Sequence, residues 1–184
     1  MARKRAAYTH LSALFAVVAM AAAAAAPSPA KLALSAQDEQ FAHKAAAGGA
    51  LQIALSKIEI DQGRYPKVVQ FARTTEKNFA QGAKKLHRLA GAIGIALPQK
   101  PPADVRTLAR ALAADRGDLV DREYMAQMVP ASTVAVNVFD AEAHSGKNRK
   151  LVLFAFHMLP KLKQHHSRAL AVVANMGRAP VARR

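Results

Sequence analysis

The residues whose types and spacing could do chemistry are a few carboxylates and histidines on apolar helical stripes. Helical bundles build metal centres from inward-facing Glu residues and Glu-x-x-His pairs, because a three-residue spacing puts both ligands on one helix face. Glu76 is the one charged residue on its stripe, and Phe79 stands where the histidine of such a pair would be needed. His165 lies on the inner stripe of a later helix, so Glu76 and His165 are the candidates for a residual metal or redox site.

The alternative for His165 is a hydrogen-bonded core residue, because a metal site normally needs three or four converging donors. The other inward positions offer weak ligands, since Gln52 carries a neutral amide and Ser132 a hydroxyl. The chain has no nucleophile elbow, phosphate loop, zincin helix, nucleotide fingerprint or cysteine. We therefore predict a protein that is not an enzyme, with no catalytic residues and no cofactor.

The elements that position these residues are helices, because apolar residues recur at three- and four-residue steps. The pattern predicts an all-α, antiparallel four-helix bundle over residues 35–176, with a short extra helix in the connection between the second and third long helices. Two internal prolines, Pro130 and Pro160, are expected to kink or interrupt the last two long helices. The predicted helices span residues 36–61, 66–93, 104–114, 119–144 and 147–176.

Gly48 and Gly49 break the helix propensity of the first long helix. Glycine is a poor helix former, so we expect a neighbouring helix to approach closely at this point. At the other end of the chain, residues 177–184 are predicted to form a basic, flexible tail.

The N-terminal segment has the layout of a secretory signal peptide. Arg3, Lys4 and Arg5 precede an uncharged apolar run over residues 11–26, and small residues follow around Pro27. The run is shorter than the roughly 20 residues that span a bilayer, although an uncleaved anchor is the alternative. We predict a signal peptide over residues 1–30 and a location in the periplasm or associated with the outer envelope. Because there is no cysteine, a thioether lipid anchor is excluded.

The chain is strongly basic, with 27 Lys and Arg against 12 Asp and Glu among 184 residues and a formal net charge of +15. Such a surface attracts polyanions, which makes an anionic envelope component a candidate partner. High charge also serves solubility alone, and that interpretation stays open. The candidate polyanion-binding residues cluster around the last long helix: Lys147, Arg149, Lys150, Lys161, Lys163 and Arg168.

Five short motifs occur in an order that resembles a known family. They are Asp38-x-x-Phe41, Ala45–Gly49, Val69-x-Phe71-Ala72, Tyr124 with Met128-Val129, and Leu159-Pro160-x-Leu162-x-x-His165. From about Ser35 to Val173 the chain is similar to the secreted, ferritin-like domain of unknown function family 4142, whose members are often named as outer-membrane proteins. The resemblance implies an exported, ferritin-like four-helix fold with no established activity.

The departures from this family concern its polar positions. The family usually has Glu at Gln52, Asp-His at Asn78-Phe79 and His at Ser132, and only His165 is retained. If those positions build a metal centre in the family, this chain has lost most of it. Our leading hypothesis is an exported, non-catalytic helical bundle of the periplasm or envelope, with a residual metal or redox site and a polyanion-binding protein as the alternatives.

Overall fold

The computed structural model describes residues 34–177, which form helices joined by turns and one long connection. Within this range there is no strand, which confirms the all-α prediction. The predicted signal peptide and residues 178–184 of the predicted tail lie outside the described residues. The helices are α1 (Ala36–Gln62), α2 (Pro66–Ile93), α3 (Ala103–Ala114), α4 (Asp118–Ser145) and α5 (Arg149–Met176).

The four long helices pack as two hairpins, α1 with α2 and α4 with α5. Across the hairpins α1 contacts α4, whereas α5 contacts α2 less extensively, and α3 packs mainly on α1. The pairs α1–α4 and α2–α5 are also antiparallel. Hydrogen bonds join the start of α4 to the turn after α1, the start of α1 to the turn after α4, and the start of α2 to the end of α5. The α2–α4 connection must therefore run the length of the bundle, and α3 lies within it.

Each hairpin turn is held by an aspartate from the other hairpin. The carboxylate of Asp121, in the first turn of α4, accepts the backbone N–H groups of Arg64 and Tyr65 at 3.1 and 2.9 Å. At the opposite end the carboxylate of Asp38 accepts the N–H group of Lys147 at 2.9 Å and that of Asn148 at 3.0 Å. These bonds satisfy backbone donors that the turns leave without helical partners. We call the two arrangements the Asp38 clasp and the Asp121 clasp.

Several residues of the first hairpin recur in the second at an interval of 83 residues, which is the separation of Asp38 and Asp121. The clasp aspartates correspond, and each is followed three residues later by a buried aromatic residue. Each is also followed 21 residues later by a buried glutamate and then by a turn glycine. The matched pairs are Asp38/Asp121, Phe41/Tyr124, Glu59/Glu142, Gly63/Gly146 and Phe71-Ala72/Phe154-Ala155.

The repeated glutamates are fully buried beside the clasps. Burial, together with the neighbouring Asp121, raises the pKa of Glu59 to about 9. Burial, together with the neighbouring Asp38, raises the pKa of Glu142 to about 7. Neither glutamate accepts a hydrogen bond from a donor within residues 34–177. Only as a neutral acid can each donate to its aspartate, so the pairs favour a shared proton.

Helix boundaries agree with the sequence prediction to within a few residues, and local chemistry explains the differences. Ser35 forms a capping box with Asp38, as a serine at this position favours. The last helix starts at Arg149 and not at Lys147, because the Asn148 side chain accepts the N–H groups of Lys150 and Leu151. The short helix starts at Ala103, one residue before the predicted start, and its N-cap residue Pro102 makes no side-chain cap hydrogen bond.

Two expectations about internal helix breakers are wrong. Helix α5 continues through Pro160, so the interruption predicted there is wrong. Helix α4 also continues through Pro130, and the kink predicted there stays a prediction. Both prolines are exposed, so water can reach the carbonyl groups that they leave without a partner. Gly48 and Gly49 do not mark a close helix approach, because a Cβ atom at either would meet nothing within 4 Å.

The core consists of two apolar clusters, one toward each end of the bundle. One is built around Phe41, Leu86, Phe139 and Leu151. The other is built around Leu55, Val68, Tyr124 and Met128. Between the clusters each long helix contributes a polar residue: Gln52, Thr75, Ser132 and the pair His165-His166. This polar middle layer is where the sequence placed its candidate chemistry.

Candidate functional site

The centre of the polar middle layer is the imidazole of His165. Its Nε2–H group donates to Oε1 of Gln52 at 3.2 Å. The ring stacks on Phe71 with centroids 4.9 Å apart and meets Phe79 edge-on at 5.2 Å. Burial, together with the neighbouring His166 and Arg168, lowers the pKa of His165 to about 4. The imidazole is therefore neutral at ordinary pH.

Next to it, Ser132 and His166 form a second polar pair. The Ser132 hydroxyl donates to the carbonyl of Val129 at 2.7 Å and accepts from Nδ1–H of His166 at 2.9 Å. On the other side of His165, the amide nitrogen of Gln52 is buried and has no hydrogen-bond partner within the described residues. An orphaned buried amide donor is a costly feature that native structures keep rare.

The residues that meet here do not fit a resident metal ion. Four positions that the family resemblance singled out converge on one layer, but this chain fills them with an amide, a phenyl ring, a hydroxyl and one imidazole. The imidazole Nε2 atom is already engaged by Gln52. Within residues 34–177 no group of three or more His, Cys, Asp or Glu side chains could hold a metal ion. This donor set lacks the charged ligands that a di-metal carboxylate centre uses.

Glu76, the other candidate ligand, does not join His165. The buried face of α2 that meets the histidine carries Phe71, Thr75 and Phe79, and Glu76 is about 100° further around the helix. Glu76 is half-buried and does not line the open groove that contains His165 in its wall. The expected Glu76–His165 partnership is therefore wrong, because Thr75 and not Glu76 occupies the buried face of α2 at this level.

An open groove of about 1050 Å³ adjoins the polar middle layer. It is lined chiefly by α2 and α5, the least extensively packed pair of neighbouring long helices, and it reaches residues of α1 and α4. His165, Phe71 and Phe79 lie in its wall, and Gly48, Gly49 and Gly82 also line it. We call it the central groove. A volume of this size is at the upper end of small-molecule sites, which occupy roughly 300–1,000 Å³.

The basic residues predicted to bind polyanions do not share one surface. All six are exposed. Lys161 and Arg168 line the central groove, whereas Lys163 points to Asp140 of α4, with its Nζ atom 3.9 Å from the carboxylate. Lys147 lies in the Asp38 clasp and Arg149 at the start of α5, away from the groove lining. The groove lining has three further cations: Lys44, Lys67 and Lys85.

The sequence prediction missed the central groove. The one signal that could have revealed it is the Gly48-Gly49 pair, together with Gly82 on the next helix. A Cβ atom at Gly48 or Gly49 would meet nothing within 4 Å, and one at Gly82 would meet only the end of Met158, so these glycines leave space in the groove wall. The periodicity of apolar residues shows which face is inward but not how far apart two inward faces lie.

Comparison with solved structures shows the fold. A DUF305 fragment from Deinococcus radiodurans superimposes with a TM-score of 0.66 at 12% identity, covering 77% of this chain and 98% of that chain. A DUF305 protein from Streptomyces coelicolor, named as a candidate secreted protein, gives a TM-score of 0.64 at 14% identity and covers 78% and 94% of the two chains. No curated protein matches the sequence. Within residues 34–177 no helix is long and apolar enough to span a bilayer.

The family comparison agrees with the motifs quoted above. Residues 22–172 match the family model described as a domain of unknown function, DUF4142. The match includes all the long helices up to the last turn of α5, and both the polar middle layer and most of the groove lining lie within it. The chain therefore belongs to the DUF4142 family.

Proposed function

We propose that this chain is an exported, non-catalytic binding protein of the periplasm or envelope. The observation that carries the proposal is His165, which lies in the wall of an open groove and is paired with the neutral side chain of Gln52. A redox or hydrolytic centre needs charged ligands or an activated base, and His165 is a poor base because its pKa is held near 4. A groove lined by apolar side chains and a few polar groups is suited to holding a ligand.

A ferritin-like arrangement is part of the same proposal. The α2–α4 connection crosses the length of the bundle, and a single long crossover connection is typical of ferritin-like bundles. On this proposal the chain keeps the bundle and replaces the metal centre by the polar middle layer. Export is proposed from the positive, apolar and small-residue segments of residues 1–30.

Metal analysis of the purified full chain tests the non-catalytic assignment. We expect iron and zinc far below one atom per chain, even after incubation with either ion and removal of the excess. Stoichiometric metal that is lost in His165→Ala but kept in His157→Ala would overturn the proposal. His157 is the matched control, since it lies on the same helix but is exposed.

Export is tested separately by cell fractionation. A reporter enzyme that works only outside the cytoplasm should become active when fused after residue 33, and deletion of residues 1–30 should abolish that activity. An active reporter without residues 1–30, or an inactive one with them, would contradict the export assignment.

Polyanion binding is a second candidate, favoured by one observation. Lys150, Lys161 and Arg168 are exposed and fall on one face of α5 at helical spacing. Binding of DNA or lipopolysaccharide through this stripe should weaken steeply with added salt. Binding that does not change with salt, or that survives replacement of all three residues by Gln, would count against it.

A further inference from the structure

We propose that the central groove binds a long-chain fatty acid, with the acyl chain along the groove and the carboxylate among the cations of its wall. This inference rests on the proposed function as a binding protein and names its ligand class. Three features of the groove carry it: its space, its apolar lining and the sign of its charges.

The space is built into the helices. Gly48 and Gly49 occupy the middle of α1, where glycine weakens a helix, yet no neighbouring atom would obstruct a Cβ atom at either position. Both glycines line the groove, and Gly82 faces it from α2 with only the end of Met158 nearby. Close packing of a neighbouring helix therefore does not explain why these positions are glycine. Space for a ligand in the groove does explain it.

The lining suits an alkyl chain. Phe71, Phe79, Phe154, Met158 and Leu162 contribute apolar surface, and the flexible methionine can adapt to the ligand's shape. Lys67 and Lys85 mark the extent of the groove along α2, and 18 helical residues span about 27 Å. One acyl chain occupies half of a bilayer core of about 30 Å. A single extended chain therefore fits within this length.

The charges select an anion. Lys44, Lys67, Lys85, Lys161 and Arg168 line the groove, and no Asp or Glu does so among the described residues. Lys161 lies near the middle of α5, so a carboxylate paired with it leaves the chain free to cover the apolar wall. A purely polar polyanion would leave that wall exposed, and a neutral lipid would leave the cations without a partner. The combination favours an anionic amphiphile with one chain.

A competition assay on the full chain tests the proposal, with displacement of a fluorescent fatty acid by laurate, myristate and palmitate. Each added methylene buried in the groove should tighten binding by about fourfold. Palmityl alcohol, which keeps the chain and removes the charge, should bind at least tenfold more weakly than palmitate. Equal affinity of the alcohol and the acid, or no gain with chain length, would overturn the proposal.

Two matched pairs of variants locate the site. Gly48→Leu fills the groove and should weaken palmitate binding at least tenfold, whereas Gly91→Leu should leave it unchanged. Gly91 is also a helical glycine with open space around it, but it lies outside the groove. Lys161→Gln should weaken binding of palmitate and not of the alcohol, whereas Lys163→Gln on the same helix should change neither.

Circular dichroism melts of each variant show whether the bundle is intact, and the Lys161→Gln pair keeps the test decisive if Gly48→Leu unfolds. If neither Gly48→Leu nor Lys161→Gln changes the affinity for palmitate, the ligand binds elsewhere and the proposal is overturned. This failure differs from failure of the proposed function, which would appear as stoichiometric metal dependent on His165 whatever the lipid result.

Discussion

His165 donates a hydrogen bond of 3.2 Å to the side-chain amide of Gln52, and this bond crosses the bundle from α5 to α1. It engages the imidazole nitrogen with a neutral acceptor, whereas the metal centres of di-metal carboxylate bundles use charged ligands. Because both partners are uncharged, the layer can be buried between two apolar clusters without a counter-ion. The chemistry of the centre therefore depends on the charge of residue 52.

Replacing Gln52 by glutamate should turn this neutral pair into an ion pair. In the unchanged protein the pKa of His165 is about 4. In Gln52→Glu the adjacent carboxylate favours the imidazolium form, so we expect the pKa to rise by at least two units. Histidine NMR titration measures this, with Gln40→Glu, an exposed position on α1, as the control. An unchanged His165 pKa would show that the two side chains do not interact.

Glu59 should make the protein less stable as pH rises. Its pKa is about 9 in the folded chain against 4.5 as the ordinary value, so the folded state holds more protons between these limits. The free energy of unfolding should then fall by up to about 1.4 kcal/mol per pH unit from pH 4.5 to 9. Glu59→Gln cannot ionise and should remove the Glu59 share of that slope in denaturant titrations at pH 6 and 9, leaving the smaller share of Glu142, whose pKa is about 7. Glu123→Gln, at an exposed position of α4, should retain the full slope.

The two clasps should contribute separately to stability. Asp38→Ala leaves the N–H groups of Lys147 and Asn148 without their acceptor, and Asp121→Ala does the same to Arg64 and Tyr65. Each substitution should lower the free energy of unfolding by about 2 kcal/mol. Since α1 separates the clasps by about 40 Å, the double variant should equal the sum to within about 0.5 kcal/mol. A clear departure from additivity in urea titrations would indicate coupling through the bundle.

Alanine at two glycine positions should have opposite effects. Gly48→Ala adds a better helix former where its Cβ meets nothing, so we expect a gain of up to about 1 kcal/mol. At Gly63 the new Cβ atom would collide with the buried carboxyl of Glu59, so Gly63→Ala should lose about 1–3 kcal/mol. Thermal melts of the two variants measure the difference. Loss of stability in Gly48→Ala would mean that the groove is narrower than described.

The helices could be predicted from the sequence because their signals are local. Ser35, Pro66, Gly94 and the three- and four-residue apolar spacing determine where each helix begins, ends and faces. Even the convergence of Gln52, Phe79, Ser132 and His165 followed from the family resemblance, since a shared fold brings equivalent positions together. The position of Glu76 did not follow, because it lies at the edge of its stripe and the buried polar residue at that level is Thr75.

The clasps and the groove could not be predicted in the same way, because both depend on contacts between distant segments. Asp121 and Arg64 are 57 residues apart, and no local rule pairs them. The repeat of Asp, aromatic residue and Glu at an interval of 83 residues was present in the sequence, but most intervening positions differ between the copies. A comparison of the sequence with itself at that offset would have predicted both buried glutamates.

The reciprocal clasps describe the domain as a tethered, pseudo-twofold dimer of helical hairpins. Asp38 and the turn after Glu59 lie at opposite ends of one hairpin, so neither hairpin can clasp its own turn. Each hairpin provides the carboxylate that accepts the turn N–H groups of the other, as in an isologous interface, where both subunits use the same surface. A single hairpin carrying one aspartate and one turn could complete this bundle only by pairing with a second copy. The two hairpins are not identical, because at the polar middle layer Gly82 is the position that corresponds to His165.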